Sequence, residues 1–138
     1  MGRPENPEIS IVVIGWRRAP DLRRCLAALA ETVDRHAVEI IVTLNEPAPA
    51  LLAELANNPD LLDECLVAES NRGYALANNA GAQAARGTYL VLLSMMIPFR
   101  NQGGLNPSLN GFPPTKASGR WVRSLLHLRG YCWRRAVG

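Results

Sequence analysis

Residues 9–14, Ile-Ser-Ile-Val-Val-Ile, form a nearly unbroken β-branched run, and residues 38–44, Val-Glu-Ile-Ile-Val-Thr-Leu, form a second. Runs of this kind belong to strands covered on both faces, the situation of a parallel sheet. Between them, behind Pro20 and Asp21, the apolar residues Leu22, Cys25, Leu26, Leu29 and Val33 recur at helical spacing. The alternation continues along the chain. Ala50 to Ala56 reads as a short helix closed by Asn57-Asn58-Pro59-Asp60, and residues 64–68 read as a third, weaker strand. Asn71-Arg72-Gly73 reads as a turn, Tyr74 to Ala85 as an alanine-rich helix, and Thr88 to Leu93 as a fourth strand. Strands separated by helices predict an α/β fold: a parallel sheet with helices on both faces, joined by right-handed crossovers. Alanines 75, 77, 80, 84 and 85 predict a third helix lying close on that sheet.

After Leu93 the pattern stops. Gly103-Gly104, Pro107, Pro113-Pro114, Trp121 and Trp133 follow neither period 2 nor period 3.6, and Leu125, Leu126 and Leu128 hint at no more than a short helix. Charge divides at the same place. Residues 1–94 hold all 12 acids and eight bases, a net of −4, while residues 95–138 hold seven bases and no acid, a net of +7. The sequence therefore predicts a folded part over 1–94 and an anomalous, poorly ordered basic tail over 95–138. A four-stranded sheet ending there is incomplete, with one edge strand unpaired.

With 138 residues and 48% of them hydrophobic, the chain suits one modest domain. Cys25, Cys65 and Cys132 are odd in number and lack C-x-x-C spacing, which predicts reduced thiols in a cytoplasmic setting. The N-terminal residues have no apolar stretch of the signal-peptide kind. The longest apolar run, around Tyr89 to Pro98, is too short to span a bilayer, which leaves room for peripheral association at the inner face of a membrane.

Open parallel sheets bind ligands beyond the carboxyl ends of their strands. Here those positions hold Gly15-Trp16-Arg17-Arg18, then Asn45-Glu46-Pro47, then Asn71-Arg72-Gly73-Tyr74 leading to Asn78-Asn79-Ala80-Gly81. No G-x-G-x-x-G and no G-x-x-x-x-G-K-[ST] is present, which speaks against a dinucleotide fold and excludes a P-loop.

These residues resemble the first half of a family 2 glycosyltransferase, a GT-A, Rossmann-like fold. The family's opening strand and loop, of the type V-S-V-V-I-P-T-Y-N-R, are matched by Ile9 to Arg18, and its L-x-x-C-L-x-S-L helix by Leu22 to Leu29. A second strand ending in D-N-G-S is matched by Leu44-Asn45-Glu46-Pro47, with Leu44 in place of the acid. The long pattern N-x-G-x-x-x-A-x-N-x-G-x-x-x-A-x-G-x-Y is matched in register by Asn71, Gly73, Ala77, Asn79, Gly81, Ala85, Gly87 and Tyr89.

The resemblance implies transfer of a sugar from a nucleotide-diphosphate sugar donor to an acceptor hydroxyl on a glycan, lipid or protein. It implies nucleotide-sugar binding by Gly15, Trp16, Arg17, Asn45, Glu46, Asn71, Gly73 and Asn79. It also implies a divalent metal, Mg or Mn, held by a D-x-D after the fourth strand. That place holds Ser94-Met95-Met96, and thioethers do not bind hard cations. The catalytic base belongs to the family's second half, which nothing after Met96 resembles. An inactive fragment is therefore expected from the chain as written. The rival readings are a non-catalytic α/β nucleotide-binding module and a nucleic-acid binder acting through the basic tail. With the family reading, no nucleic-acid partner is expected.

The genetic code offers an account of the missing acids. Met95-Met96-Ile97 is read from ATG-ATG-AT, and a shift by one base turns this into xAT-GAT-GAT, in which two adjacent triplets encode Asp. In the same frame, Pro98 to Pro107 can encode S-V-P-K-P-G-W-L-E-P, similar to the family segment that follows its acids. The sequence thus predicts a truncation of the family pattern by a frameshift near Ser94.

Overall fold

The computed structural model of the protein describes residues 3–16, 19–94, 121–125 and 131–135. Strands β1 (Ile9–Trp16), β2 (Val38–Asn45), β3 (Glu64–Ala68) and β4 (Tyr89–Ser94) alternate with helices α1 (Ala19–Thr32), α2 (Pro49–Ala56) and α3 (Gly73–Ala84). The four strands are parallel in the order β3-β2-β1-β4. Each boundary lies within two residues of the one the sequence predicts. A 3-10 turn at Pro59–Leu61 replaces the plain break expected after α2.

The β-branched runs take the two central places, where both faces are covered. On one face Ile11, Val13, Ile40, Val42 and Leu44 pack against Leu22, Leu26 and Leu29 of α1 and Leu51 and Leu55 of α2. On the other, Val12, Ile41 and Leu90 form a smaller cluster with Ala85. Helices thus cover both faces, as predicted. Val33 follows α1 rather than ending it, and still packs on the larger cluster. Cys25 lies in that cluster as a free thiol, and burial pushes its pKa up to about 11, which keeps it protonated and unreactive.

The third helix meets the sheet differently from the alanine pattern. Its buried residues are Ala77, Asn78 and Gly81, whereas Ala75 and Ala80 face solvent. The close approach comes from Gly81. A Cβ there would run into the methyl groups of Val12 and Thr43, so only the missing side chain lets α3 rest on β1 and β2.

Two further strands lie in the segment where the sequence shows no period. Strand β5 (Trp121–Leu125) pairs antiparallel with β6 (Tyr131–Arg135), and β6 pairs antiparallel with β4. The sheet therefore has six strands, β3-β2-β1-β4-β6-β5, and the outer edge of β4 is paired, contrary to the expectation of a bare edge. Leu125 belongs to a strand and not to the short helix its leucines suggested. Leu126 and Leu128 lie outside the described residues.

Val13 has no exposed surface in the middle of β1. Val13→Asp would bury an unpaired carboxylate at a cost of several kcal/mol, against a typical domain stability of about 5–15 kcal/mol. The variant is expected to be insoluble or to lack a cooperative thermal transition. A soluble Val13→Asp protein that melts sharply would contradict the central place of β1.

Candidate functional site

The carboxyl ends of β1, β2 and β3 and the start of α3 meet on one side of the sheet. Trp16 closes β1 directly beside Asn45, its register partner at the end of β2, and is 47% exposed. Asn45 is buried, and its Nδ2 donates to the Gly73 carbonyl at 3.2 Å. The Gly73 N–H in turn donates to Asn71 Oδ1 at 2.9 Å, which closes an Asx turn ahead of α3. Asn45, Asn71 and Gly73 are thus one connected unit that ties the end of β2 to the N-terminus of α3. These three predicted residues come together through atoms the sequence does not relate.

Gly73 has φ +83°, the left-handed region, with nothing within 4 Å of where a Cβ would stand. A side chain fits there sterically but strains the backbone by about 1–2 kcal/mol. Gly73→Ala is therefore expected to lower the unfolding free energy by about 1 kcal/mol while leaving the fold intact. Chemical denaturation checks this, and an unchanged midpoint would show that the turn does not depend on glycine.

Other predicted residues sit in different roles. Gly15 is buried, and a Cβ on it would lie 2.6 Å from Leu44 Cδ2 and 2.9 Å from Leu22 Cδ2. Its lack of a side chain is accounted for by the packing of α1 on β2. Leu44, at the position of the family pattern's acid, points into that same core and is 1% exposed. Glu46 is exposed with φ +45°, and its N–H donates to the Ala68 carbonyl at 2.9 Å. A non-glycine residue here adopts the backbone that the glycine of D-N-G-S adopts without strain. Asn79 is exposed on α3. Arg17 lies outside the described residues.

Sequence reasoning missed Asn78. It is the buried member of the Asn78-Asn79 pair, 6% exposed, and its Oδ1 has no hydrogen-bond partner among the described residues. Buried beneath the same helix, Thr43 Oγ1 also has no such partner. Two adjacent asparagines inside a helix were the available signal, but their spacing alone does not say which one faces the sheet. Beside them, a cleft of about 280 Å³ runs between α3 and the edge formed by β2 and β3.

Among the described residues, no group of three or more His, Cys, Asp or Glu side chains could hold a metal ion. A hard divalent cation takes roughly six oxygen ligands, and Met95 and Met96 after β4 supply no side-chain oxygen. The described residues do not fit a Mg or Mn centre.

This arrangement, a parallel sheet with helices on both faces and polar turns gathered at its strand ends, is the GT-A form of the α/β fold. The sequence pattern of the family "Glycosyl transferase family 2" matches residues 10–94, well over half of the chain, and the protein belongs to that family. Among solved structures, a mannosyltransferase from Pyrobaculum calidifontis, PcManGT, in complex with GDP-Man and Mn2+, aligns with a TM-score of 0.55 at 18% identity. That alignment covers 68% of this chain and 29% of the mannosyltransferase. S. aureus TarS aligns with a TM-score of 0.58 at 16% identity, covering 64% of this chain and 16% of TarS. The likeness at these identities is one of fold, and the chain spans less than a third of either relative. No curated protein matches the sequence. The family pattern ends at Ser94, where the alternation of strand and helix patterns in the sequence also ceases. Among the described residues, no helix is long and apolar enough to cross a membrane.

Proposed function

We propose that residues 1–94 form the nucleotide-sugar-binding half of a family 2 glycosyltransferase. In this reading a nucleotide-diphosphate sugar is held at the strand ends by Trp16, Arg17, Asn45, Glu46, Asn71, Gly73 and Asn79, with the backbone of Gly15 beside them. The observation that carries the reading is the hydrogen-bonded unit Asn45–Gly73–Asn71. It fixes an amide at the end of β2 next to an exposed indole, a flat apolar surface beside a hydrogen-bonding edge. That pairing suits a nucleoside, which offers an aromatic face and a polar rim. A nucleotide-bound mannosyltransferase with the same fold supports the donor class.

Sugar transfer needs charge stabilisation on the leaving diphosphate and a carboxylate base at the acceptor hydroxyl. The chain has no acid after Glu69, so the proposed activity of this chain is donor binding without transfer. The acceptor class, whether glycan, lipid or protein, lies with the family's second half, as does any contact with a membrane surface.

The test is calorimetric titration of the full chain with UDP, GDP and their sugar conjugates. Binding of one nucleotide is expected, weakened about tenfold by Asn45→Ala and by Asn71→Ala, the loss of one or two hydrogen bonds. Absence of binding to every nucleotide, or binding by both variants as tight as by the unmodified chain, would overturn the reading.

A further inference from the structure

Strand β3 stands at one edge of the sheet, paired with β2 in an unbroken register from Glu64 to Ala68. Among the described residues, no strand lies on its other side. A sheet edge offers a row of unpaired backbone N–H and C=O groups, a template for another extended segment. Soluble proteins blunt such edges with lysine, proline, a bulge or a covering element. Among the described residues β3 shows none of these: its sequence is Glu-Cys-Leu-Val-Ala and its ladder is regular. The opposite edge differs, since β5 carries Arg123 at its centre.

The side chains of β3 add a second observation. Leu66 packs on the smaller core cluster beneath α3, so Cys65 and Val67 point to the opposite face. Over β1 and β2 that face is covered by α1 and α2. Over β3 the cover stops: Val67 is 52% exposed, and Cys65 is exposed as a free thiol. Two apolar side chains thus stand uncovered along the edge itself. Charge does not oppose contact there. Glu64, the one charged residue of β3, forms an ion pair with Arg3 of its own chain.

We propose that β3 pairs antiparallel with β3 of a second copy of this chain, joining two sheets into one. A twofold axis normal to the sheet sets the edge against itself and puts Cys65 and Val67 of both copies on one face. There they cover one another, while the charge of Glu64 is already balanced within each copy. Pairing β3 with β5 of another copy would instead meet Arg123 and leave a free edge at each end, growing into an open filament. Self-pairing consumes the unprotected edge and leaves at the ends two β5 edges, each with its arginine. The interface does not depend on nucleotide binding.

The experiment is sedimentation velocity of the full chain and of Val67→Lys over a series of concentrations. Val67 is half exposed, so a lysine there reaches solvent in the single copy, and an unchanged circular dichroism spectrum confirms that the variant is folded. The expected result is a dimer for the unmodified chain and at least tenfold weaker association for Val67→Lys. A short bis-maleimide supplies a second reading, because Cys25 is buried and protonated. It is expected to give a covalent dimer that Cys65→Ser abolishes, and this decides the matter if Val67→Lys fails to fold. A monomer at every concentration, unchanged association in Val67→Lys, or crosslinking that survives Cys65→Ser would overturn the pairing. Assemblies that grow beyond two copies would overturn its twofold closure.

Discussion

Insertion of one base at the Ser94–Met95 junction is expected to give a protein with divalent-metal-dependent sugar transfer. The proposal is that residues 95–138 are read out of frame. Methionine has a single codon, so Met95-Met96-Ile97 fixes ATG-ATG-AT, and one added base yields xAT-GAT-GAT, with two consecutive Asp codons beginning one codon after β4. The shift places carboxylate oxygens where Met96 and Ile97 now stand, and oxygen is the donor a hard cation requires. A cation there stabilises charge on the leaving diphosphate, an effect on the order of a hundredfold or more in rate. The frame change also accounts for a tail with seven bases and no acid. Two measurements check it. Sequencing of the locus should show that the restored frame stays open well past codon 138. The repaired protein should release nucleotide diphosphate from a sugar donor in the presence of Mn2+ or Mg2+, and lose that activity with a chelator. An early stop codon in the restored frame would overturn the proposal. The tail would then stand as it is encoded, with β5 and β6 as authentic strands beside β4.

Glu39→Ala is expected to unfold the protein or to remove most of its stability. Glu39 is the second residue of β2 and has no exposed surface, at the end of the sheet opposite the candidate site. Its Oε1 accepts hydrogen bonds from Ser10 Oγ at 2.5 Å and the Arg86 N–H at 2.6 Å. Its Oε2 accepts from Arg3 Nε at 3.0 Å and from the Arg86 guanidinium at 3.3 Å. The network extends further. Ser10 Oγ accepts from the Gly87 N–H at 2.7 Å, Arg86 donates to the Pro4 carbonyl at 2.7 Å, and Arg3 also pairs with Glu64. One carboxylate thereby joins the N-terminal segment, β1, β2 and the turn before β4. Removing it strands buried donors and costs about 3–5 kcal/mol, much of a typical domain's stability.

The same network sets an acid limit. Burial by itself raises the Glu39 pKa, but hydrogen bonds from Ser10, the Arg86 N–H and Arg3, with the charge of Arg3, outweigh it and hold the pKa below its usual 4.5. A carboxylate with a depressed folded pKa contributes stability above its unfolded pKa and loses it as pH falls through the folded value. Melting temperatures are therefore expected to hold from pH 7 to about 5 and to fall steeply below 4.5. Glu39→Gln should melt lower at pH 7 and show a shallower fall. A variant that melts like the unmodified protein across this range would show that the network does not bear stability.

Most of the α/β core was legible because its signal is local. β-branched runs such as Ile11–Ile14 and Ile40–Val42 mark strands by composition, and Leu22, Leu26 and Leu29 mark a helix face by spacing. The family pattern over Asn71 to Tyr89 was legible for the same reason: it is one short stretch in one register. The strands β5 and β6 were not, since their sequence lacks alternation and their place depends on the free edge of β4.

By itself the sequence determined the four parallel strands, the helices between them, the strand-end location of the candidate residues and the absence of metal-binding acids after β4. Tertiary structure alone decided how the buried polar residues are held. Glu39 reads as an oddity in a buried strand until Arg86, 47 positions away, and Arg3, 36 away, are brought against it. Asn45 is tied to the start of α3 through the Gly73 carbonyl, 28 positions on. Asn78 and not Asn79 turns to the sheet, because the glycine three residues later fixes which side of α3 makes contact. Local spacing encodes periodicity and burial, whereas the pairing of a buried polar group depends on long-range contacts made only when the chain closes on itself.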